Sequence, residues 1–181
     1  CRAFGMDVIA YDPYLTDERA TELGVQRAEL EDVLTKGDVV SLHVPLTDDT
    51  KNMIGTDTLA RMKKGAFLVN VARGGVVDEA ALAEALASGH LAGAALDVTE
   101  PEPLPDGHPL WDLDNCLITP HTANTWEMAE PLFAVPASAE TASTVTRCRT
   151  LRIMPRMAWV SSSTTLLLSL RSPSPDSTSP A

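Results

Sequence analysis

The chain has few aromatic residues, few positive charges and no long apolar run. Aromatic residues make up 4% of the 181 residues and hydrophobic residues 44%, so a core must come mainly from alanine, valine and leucine. The net charge of −11 disfavours nucleic acid and anionic membrane surfaces as partners. No apolar segment approaches the roughly 18 residues of a membrane-spanning helix. We therefore predict a protein that binds neither nucleic acid nor membrane.

Cysteine is scarce as well. Cys1, Cys116 and Cys148 show neither a CxxC spacing nor the pattern of a disulfide framework, which fits a reducing compartment. No secretory signal peptide is recognisable. We predict a cytoplasmic protein without a metal site. Because the first residue is Cys1 rather than Met, in what reads as the end of a helix, we also expect the natural N-terminus to be missing.

Strand and helix signals alternate through residues 1–133. The predicted strands are apolar throughout: Asp7–Tyr11, Asp38–Val44, Ala66–Val71, Gly93–Val98 and Cys116–Thr119. The helices between them are predicted at Thr16–Leu23, Ala28–Thr35, Thr56–Met62 and Glu79–Ser88, with one more beginning at Thr125. Apolar strands separated by helices are typical of a parallel sheet covered on both faces. The sequence therefore predicts a doubly wound α/β domain.

Residues 134–181 have a different composition. All ten glycines and all acidic residues except Glu140 and Asp176 precede position 134, while Ser, Thr and Pro dominate the residues after it. Only Thr164–Leu170 is briefly apolar. This composition predicts an irregular, disordered tail. Its abrupt onset inside a predicted helix suggests a second interpretation, which is translation in a shifted reading frame.

The segment Met62–Leu82, MKKGAFLVNVARGGVVDEAAL, carries the clearest chemical signal. Its buried strand is followed by Arg73, two glycines and an acidic helix start at Asp78. Open α/β sheets bind ligands at the carboxyl ends of their strands, where a guanidinium can meet both oxygens of a carboxylate. Paired glycines let backbone approach whatever the arginine holds. The alternative is an arginine that only caps a loop.

Acidic residues follow two other strands. Asp12 ends the first strand, where dinucleotide-binding folds place the acid that binds the ribose hydroxyls; alternatively it only forms an Asp-Pro turn. The glycine-rich loop that should lie about 20 residues upstream would precede the start of the chain. Glu100 and Glu102 both lie in the proline-rich segment after Asp97. Either carboxylate is suited to orient a histidine.

Histidine is the side chain best suited to proton transfer near neutral pH. The chain contains His43, His90, His108 and His121. His43 and His121 end strands, whereas the other two read as surface residues. Arg73, the Asp97–Glu102 segment and His121 each follow a separate strand. Because parallel strands end at one edge of a sheet, we expect a carboxylate clamp, an acid/base and its orienting partner to converge there.

Several blocks of sequence, in order, are GMDVIAYDP, SLHVPLTDDTKNMIG, MKKGAFLVNVARGGVVDEAAL, AALDVTEPEPLP with HPLW, and LITPHTA. Together they resemble the D-isomer-specific 2-hydroxyacid dehydrogenases, most of all the D-3-phosphoglycerate dehydrogenase and hydroxypyruvate reductase group. The resemblance covers residues 1 to about 133. It implies a nicotinamide-dependent oxidoreductase with a Rossmann-type cofactor domain inserted in a flavodoxin-like substrate domain, and a homodimer when intact.

The resemblance also assigns roles to individual residues. It implies the catalytic residues Arg73, Glu102 and His121, and the cofactor-binding residues Asp12, Val44, Pro45, Thr50 and Asp97. Hydride would pass between the nicotinamide and C2 of a small 2-oxo or D-2-hydroxy acid. Arg73 would hold the substrate carboxylate, and His121, paired with Glu102, would exchange the proton. Asp12 implies NAD rather than NADP, and formate dehydrogenases fit less well because they carry glutamine where Glu102 stands.

The chain departs from the family pattern at both ends. The substrate domain and the Gly-x-Gly-x-x-Gly loop are absent, and after about Phe133 the tail replaces the last helix. We expect an incomplete domain, inactive as written, whose missing central strand leaves neighbouring strands unpaired. Two other interpretations stay open: an NAD-sensing, corepressor-like module with the same residues, and a non-functional product of a broken reading frame.

Overall fold

The computed structural model of the chain describes residues 1–122 and the backbone of residues 166–171. Its strands are β1 (Asp7–Tyr11), β2 (Gln26–Arg27), β3 (Val39–His43), β4 (Phe67–Asn70), β5 (Gly93–Leu96), β6 (Cys116–Ile118) and β7 (Leu166–Arg171). Its α-helices are α1 (Asp17–Leu23), α2 (Leu30–Lys36), α3 (Thr56–Arg61) and α4 (Glu79–Ala87). Short 3₁₀ turns lie at Arg2–Phe4, Gly74–Val76 and Pro109–Asp112.

The strands of the described residues form one sheet in the order β2-β1-β7-β3-β4-β5-β6. β1 and β2 pair in parallel, and so do β3, β4, β5 and β6. β7 is antiparallel to both β1 and β3, so β1 and β3 run in the same direction. The predicted α/β fold is confirmed. As a result, the carboxyl ends of β1, β3, β4, β5 and β6 share one edge of the sheet.

Strand β7 corrects a prediction about the tail. Its backbone pairs with Asp7–Tyr11 on one side and with Val39–His43 on the other. In the doubly wound strand order 3-2-1-4-5-6, this is the place of the first strand. The expectations that the segment is irregular and that the neighbouring strands stay unpaired were wrong. The apolar run LLLSLR supplies the backbone partners that two open strand edges require.

The rest of the predicted tail lies outside the described residues, and so does the helix predicted to begin at Thr125. Where the structure does describe helix starts, local hydrogen bonds explain them. Thr16 and Asp78 are the N-caps of α1 and α4, and each accepts a bond from the backbone N–H three residues on. α2 begins later than predicted because the Ala28 N–H donates to the Ala10 carbonyl at 2.8 Å, which prolongs the unpredicted β2 ladder.

The core is aliphatic, as the scarcity of aromatic residues predicts. Its largest fully buried side chains are Val33, Leu34, Val40, Leu42, Ile54, Leu59, Leu68, Leu82, Leu91, Leu96 and Leu110. By contrast, Phe4, Tyr14, Phe67 and Trp111 are exposed. In the described part of the chain, no helix has both the length and the apolar character needed to cross a membrane. The buried leucines and valines come from both the strands and the helices. Their packing holds the helices against the sheet and so fixes the strand ends that carry the site.

Candidate active site

His121 and Glu102 are hydrogen-bonded to each other at the carboxyl edge of the sheet. His121 Nδ1 lies 2.9 Å from Glu102 Oε1 and 3.1 Å from Oε2. Because a carboxylate only accepts hydrogen bonds, Nδ1 carries the proton and Nε2 is left as the ring's acceptor. Within residues 1–122, Nε2 has no hydrogen-bond partner. The two side chains are 40% and 42% exposed, so solvent and a small ligand can reach the ring.

Of the two glutamates in the proline-rich loop, the structure brings to the histidine the one that the family resemblance implies. Glu102 contacts the histidine, whereas the Glu100 backbone N–H donates to the Glu79 carboxylate. The loop that carries them is fixed from within, because the Thr99 hydroxyl donates to the Pro101 carbonyl at 3.1 Å and the Leu104 side chain is buried. This geometry explains why the proline-rich segment presents the second glutamate rather than the first.

Asp97 ties the end of β5 to the loop that carries the histidine. Its Oδ1 accepts hydrogen bonds from the Thr119 hydroxyl at 2.5 Å and from the Thr122 backbone N–H at 2.9 Å. The carboxylate is buried, so these bonds offset the cost of removing it from water. His121 lies between the two threonines and has a left-handed backbone with φ 51°. Asp97 thus holds both sides of the turn from which the imidazole projects.

Arg73 lies just beyond β4 with an exposed side chain. Its Nη1 donates to the Ala72 carbonyl at 2.6 Å, which leaves other guanidinium donors unused in that contact. The two glycines that follow are needed for close packing. A methyl group on Gly74 would lie 2.1 Å from the Thr99 carbonyl carbon and oxygen, and one on Gly75 would lie 3.2 Å from Leu46. Gly74 therefore lets the Arg73 turn pack against the loop that carries Glu102, and Gly75 lets it pack against Leu46 after β3.

Four of the residues expected to bind cofactor lie after β1 and β3 on the same edge, and the fifth, Asp97, follows β5. Asp12 is buried, and its Oδ1 accepts the Tyr14 backbone N–H at 2.8 Å. In the described residues, its Oδ2 is buried without a hydrogen-bond partner. Val44 is buried beside the exposed Pro45, and the Thr50 hydroxyl donates to the Pro45 carbonyl at 2.6 Å. Thr50 therefore shapes this loop through its own hydrogen bonds.

The other histidines make structural contacts. His43 Nε2 lies 2.9 Å from the Ser41 hydroxyl, and burial lowers the pKa of His43, which favours the neutral ring. His90 Nε2 lies 3.0 Å from the Leu59 carbonyl, and His108 Nδ1 accepts the Leu110 N–H at 3.3 Å. The contacts of His90 and His108 are with backbone atoms, so these two rings serve the fold.

Two residues at this edge were missed by sequence reasoning. Asn70, the last residue of β4, is buried and bonds to the turn that carries Arg73. Glu79, the first residue of α4, is also buried and accepts the Glu100 N–H. A signal for Asn70 was present, because an amide inside the apolar run FLVN has to find a buried partner. Glu79 gave no such signal, since an acid in a first helical turn is ordinary.

Comparison with known proteins places this geometry in a family. Residues 1–123 match the family model described as D-isomer specific 2-hydroxyacid dehydrogenase, NAD binding domain. The chain belongs to this family. The 2-hydroxyacid dehydrogenase resemblance and the Rossmann-type cofactor domain predicted from the sequence are thereby confirmed.

Individual family members agree with the match. The D-3-phosphoglycerate dehydrogenase of Bacillus subtilis is 48% identical over 139 residues, which are 77% of this chain and 26% of that protein. The NAD-complexed D-isomer specific 2-hydroxyacid dehydrogenase of Lactobacillus delbrueckii ssp. bulgaricus is similar with TM-score 0.60 and 41% identity, over 66% of this chain and 40% of that one. The Xanthobacter autotrophicus Py2 enzyme in complex with NADPH and MES has TM-score 0.54 and 50% identity, over 58% and 35%. The chain therefore spans between 26% and 40% of the length of these 2-hydroxyacid dehydrogenases.

Proposed function

We propose that the chain carries the cofactor-binding part of an NAD-dependent dehydrogenase that acts on a small D-2-hydroxy or 2-oxo acid. The observation that supports this most is the His121–Glu102 hydrogen bond, made between two loops that leave adjacent parallel strands. Arg73 follows the next strand along, on the same edge. An acid/base pair beside a cationic side chain is what oxidation of a hydroxy acid requires.

The residues after β1 and β3 suit a dinucleotide. When bound, NAD supplies the hydride acceptor and donor. Asp12 would accept the adenosine-ribose hydroxyls, and its buried Oδ2 without a partner marks an acceptor still to be satisfied. Val44, Pro45 and Thr50 would border the cofactor, and Asp97 would lie near the carboxamide. The Asp12 charge disfavours a 2′-phosphate, so we propose NAD over NADP.

The chain's own residues would share the remaining chemistry. Arg73 would hold the substrate carboxylate through two N–H groups. His121 Nε2, the ring atom without a partner in the described residues, would take the hydroxyl proton during oxidation and return it during reduction. Glu102 would fix the tautomer and stabilise the protonated ring, as a carboxylate behind a catalytic histidine does. Glu102 would thus stabilise the positive charge of the protonated imidazole, and Arg73 would bind the negative charge of the substrate carboxylate.

We further propose that the 181-residue chain alone does not turn over a 2-oxo acid. Its sequence contains no Gly-x-Gly-x-x-Gly loop, whose N–H groups hold a pyrophosphate at a helix N-terminus. β7 stands in the place of the strand that precedes such a loop, and it runs in the opposite direction. A cytoplasmic location and a homodimer of the intact enzyme belong to the same proposal.

A chimera tests the proposed function. Residues 1–122 would replace the matching segment of Bacillus subtilis D-3-phosphoglycerate dehydrogenase, to which the chain is 48% identical over the matched residues. We expect NAD-dependent oxidation of D-3-phosphoglycerate by the chimera. His121→Ala should lower turnover by roughly 10²–10⁴-fold with NADH binding kept, which is the usual effect of losing an acid/base. Arg73→Ala should raise KM sharply. A folded chimera whose turnover survives His121→Ala would overturn the proposal.

A further inference from the structure

Glu79 is a buried acid that the proposed chemistry does not use. It is the first residue of α4 and only 8% exposed. Its Oε1 accepts the backbone N–H of Glu100 at 2.8 Å, across 21 positions of sequence. The bond joins the helix that follows the Arg73 turn to the loop that carries Glu102.

The peptide between Thr99 and Glu100 is held from its other side as well. A methyl group on Gly74 would lie 2.1 Å from the Thr99 carbonyl and 2.6 Å from the Glu100 nitrogen, so only the bare glycine backbone fits against this peptide. The peptide is thereby clamped between Gly74 and Glu79. Gly74 follows Arg73 directly, and Glu102 lies two residues beyond Glu100. The clamp joins the turn that carries Arg73 to the loop that carries Glu102.

Burial and neighbouring charges both act on the pKa of Glu79. Burial raises the pKa of Glu79, the bond from the Glu100 N–H lowers it, and the negative charges of Glu100 and Asp78 raise it further. Burial, followed by the Glu79 charge, raises the pKa of the Cys116 thiol on β6 to about 11. A neutral glutamine would offer the same acceptor at lower cost. Burial is the largest of these effects, so the loop uses the acceptor oxygen of Glu79 rather than its charge.

We propose that Glu79 is a positioning residue that keeps Glu102 hydrogen-bonded to His121 by fixing the Thr99–Glu100 peptide. The inference rests on the proposed function of the Glu102–His121 pair. It adds that the pair depends on a side chain that touches neither partner. Removing Glu79 should release the loop after Asp97 and separate Glu102 from the imidazole, while the sheet beneath stays folded.

The experiment compares variants of the 181-residue chain by nuclear magnetic resonance. Glu79→Ala should speed hydrogen exchange of the Glu100 amide by about tenfold or more, the effect of losing a bond to a carboxylate. It should also move the His121 ring signals toward those of a Glu102→Ala chain. Glu79→Gln keeps the acceptor and should restore both readouts. Glu84→Ala, an exposed acid on the same helix, is the matched control and should change neither.

A second readout covers the case in which Glu79→Ala fails to fold. In the unaltered chain, the Glu100 amide signal should shift with pH as its acceptor titrates, at a pH above the ordinary glutamate pKa. Glu79→Gln should abolish that pH dependence and leave the His121 ring signals in place. Neither readout needs turnover, so failure here is distinct from failure of the chimera. Unchanged Glu100 exchange in a folded Glu79→Ala chain, or a Glu100 signal that titrates equally in Glu79→Gln, would overturn the proposal.

Discussion

Asn70 spans the turn that presents Arg73. Its Nδ2 donates to the Arg73 carbonyl at 2.9 Å, and its Oδ1 accepts the Ala72 N–H at 3.1 Å. Asn70 is 1% exposed and its bond with the Ala72 N–H is buried, whereas the Arg73 carbonyl also accepts the Val76 N–H at 3.3 Å. One amide thus pairs with a backbone donor and a backbone acceptor of the same turn. It helps to fix the turn that carries the guanidinium.

We expect Asn70→Leu to destabilise the fold by about 1–3 kcal/mol, since the buried Ala72 N–H loses its side-chain partner, whereas the Arg73 carbonyl keeps the bond from the Val76 N–H. Asn70→Asp should cost less stability, because it keeps the acceptor and loses only the donor. Urea unfolding of the 181-residue chain measures both. In the chimera, both variants should raise KM more than they lower kcat. Equal stability of Asn70→Leu and the unaltered chain would show that the turn does not need the amide.

Gly74→Ala should destabilise the chain by more than about 2 kcal/mol, because the new methyl group would meet Thr99 backbone at 2.1 Å and backbone cannot rotate away. Gly55→Ala is the control, since its methyl group would meet only the Asn52 carbonyl, at 3.4 Å. Its expected cost is below about 1 kcal/mol. Thermal unfolding of both variants gives the comparison. If the two glycines prove equally tolerant, the Arg73 turn does not pack against the loop in solution.

Ser169→Pro tests strand β7. Ser169 pairs with Ile9 on one side and Val40 on the other, and proline removes a ladder donor in the middle of the sheet. We expect a loss of about 3 kcal/mol and faster amide exchange in β1 and β3. Ser169→Ala keeps the backbone N–H and serves as the control. Exchange in β1 and β3 that does not respond to the proline would mean that the strand does not occupy this place.

Asp12→Ser, made in the chimera, should narrow the preference for NADH over NADPH by roughly tenfold or more. Removing one charge near a 2′-phosphate is worth more than about 1.4 kcal/mol at the dielectric of a protein surface, and that energy is a factor of ten in affinity. Titration calorimetry with both cofactors measures the ratio. The Xanthobacter relative in complex with NADPH shows why the ratio has to be measured. Tighter NADPH than NADH binding before the substitution would contradict the proposed role of Asp12.

The pH dependence of stability should report Glu79. Burial raises the pKa of Glu79 in the folded chain above its ordinary value, so protonation of this carboxyl stabilises the folded chain relative to the unfolded one. That stabilisation is fully present below the ordinary glutamate pKa and is lost as pH rises through the raised value. Glu79→Gln does not titrate, so its stability relative to the unaltered chain should increase across this window. Urea midpoints at several pH values test it, with Glu84→Gln as control. A constant difference at every pH would argue against a raised pKa.

The strands that build the site were predictable because their apolar runs are long and each ends in a polar residue. The choice of Glu102 over Glu100 came from the family resemblance and not from the residues alone, since the two lie in the same proline-rich loop and the bonds of Thr99 and Glu79 that separate them are visible only in the structure. β2 was not predicted because a strand of two residues is too short to show an alternation of apolar and polar side chains. β7 was not predicted because its apolar run lies in Ser/Thr/Pro-rich surroundings, and its place depends on the edges of β3 and β1, about 130 and about 160 residues away.

The left-handed backbone of His121 lowers the stability of the turn that carries the imidazole. A residue with a Cβ gives up about 1–2 kcal/mol in that conformation, whereas glycine gives up almost nothing. A glycine at position 121 would therefore make the turn more stable, but it would remove the imidazole. The turn keeps the imidazole that we propose as the proton carrier, although a glycine backbone would be more relaxed there. Under that proposal, the turn is less stable than it could be for the sake of activity.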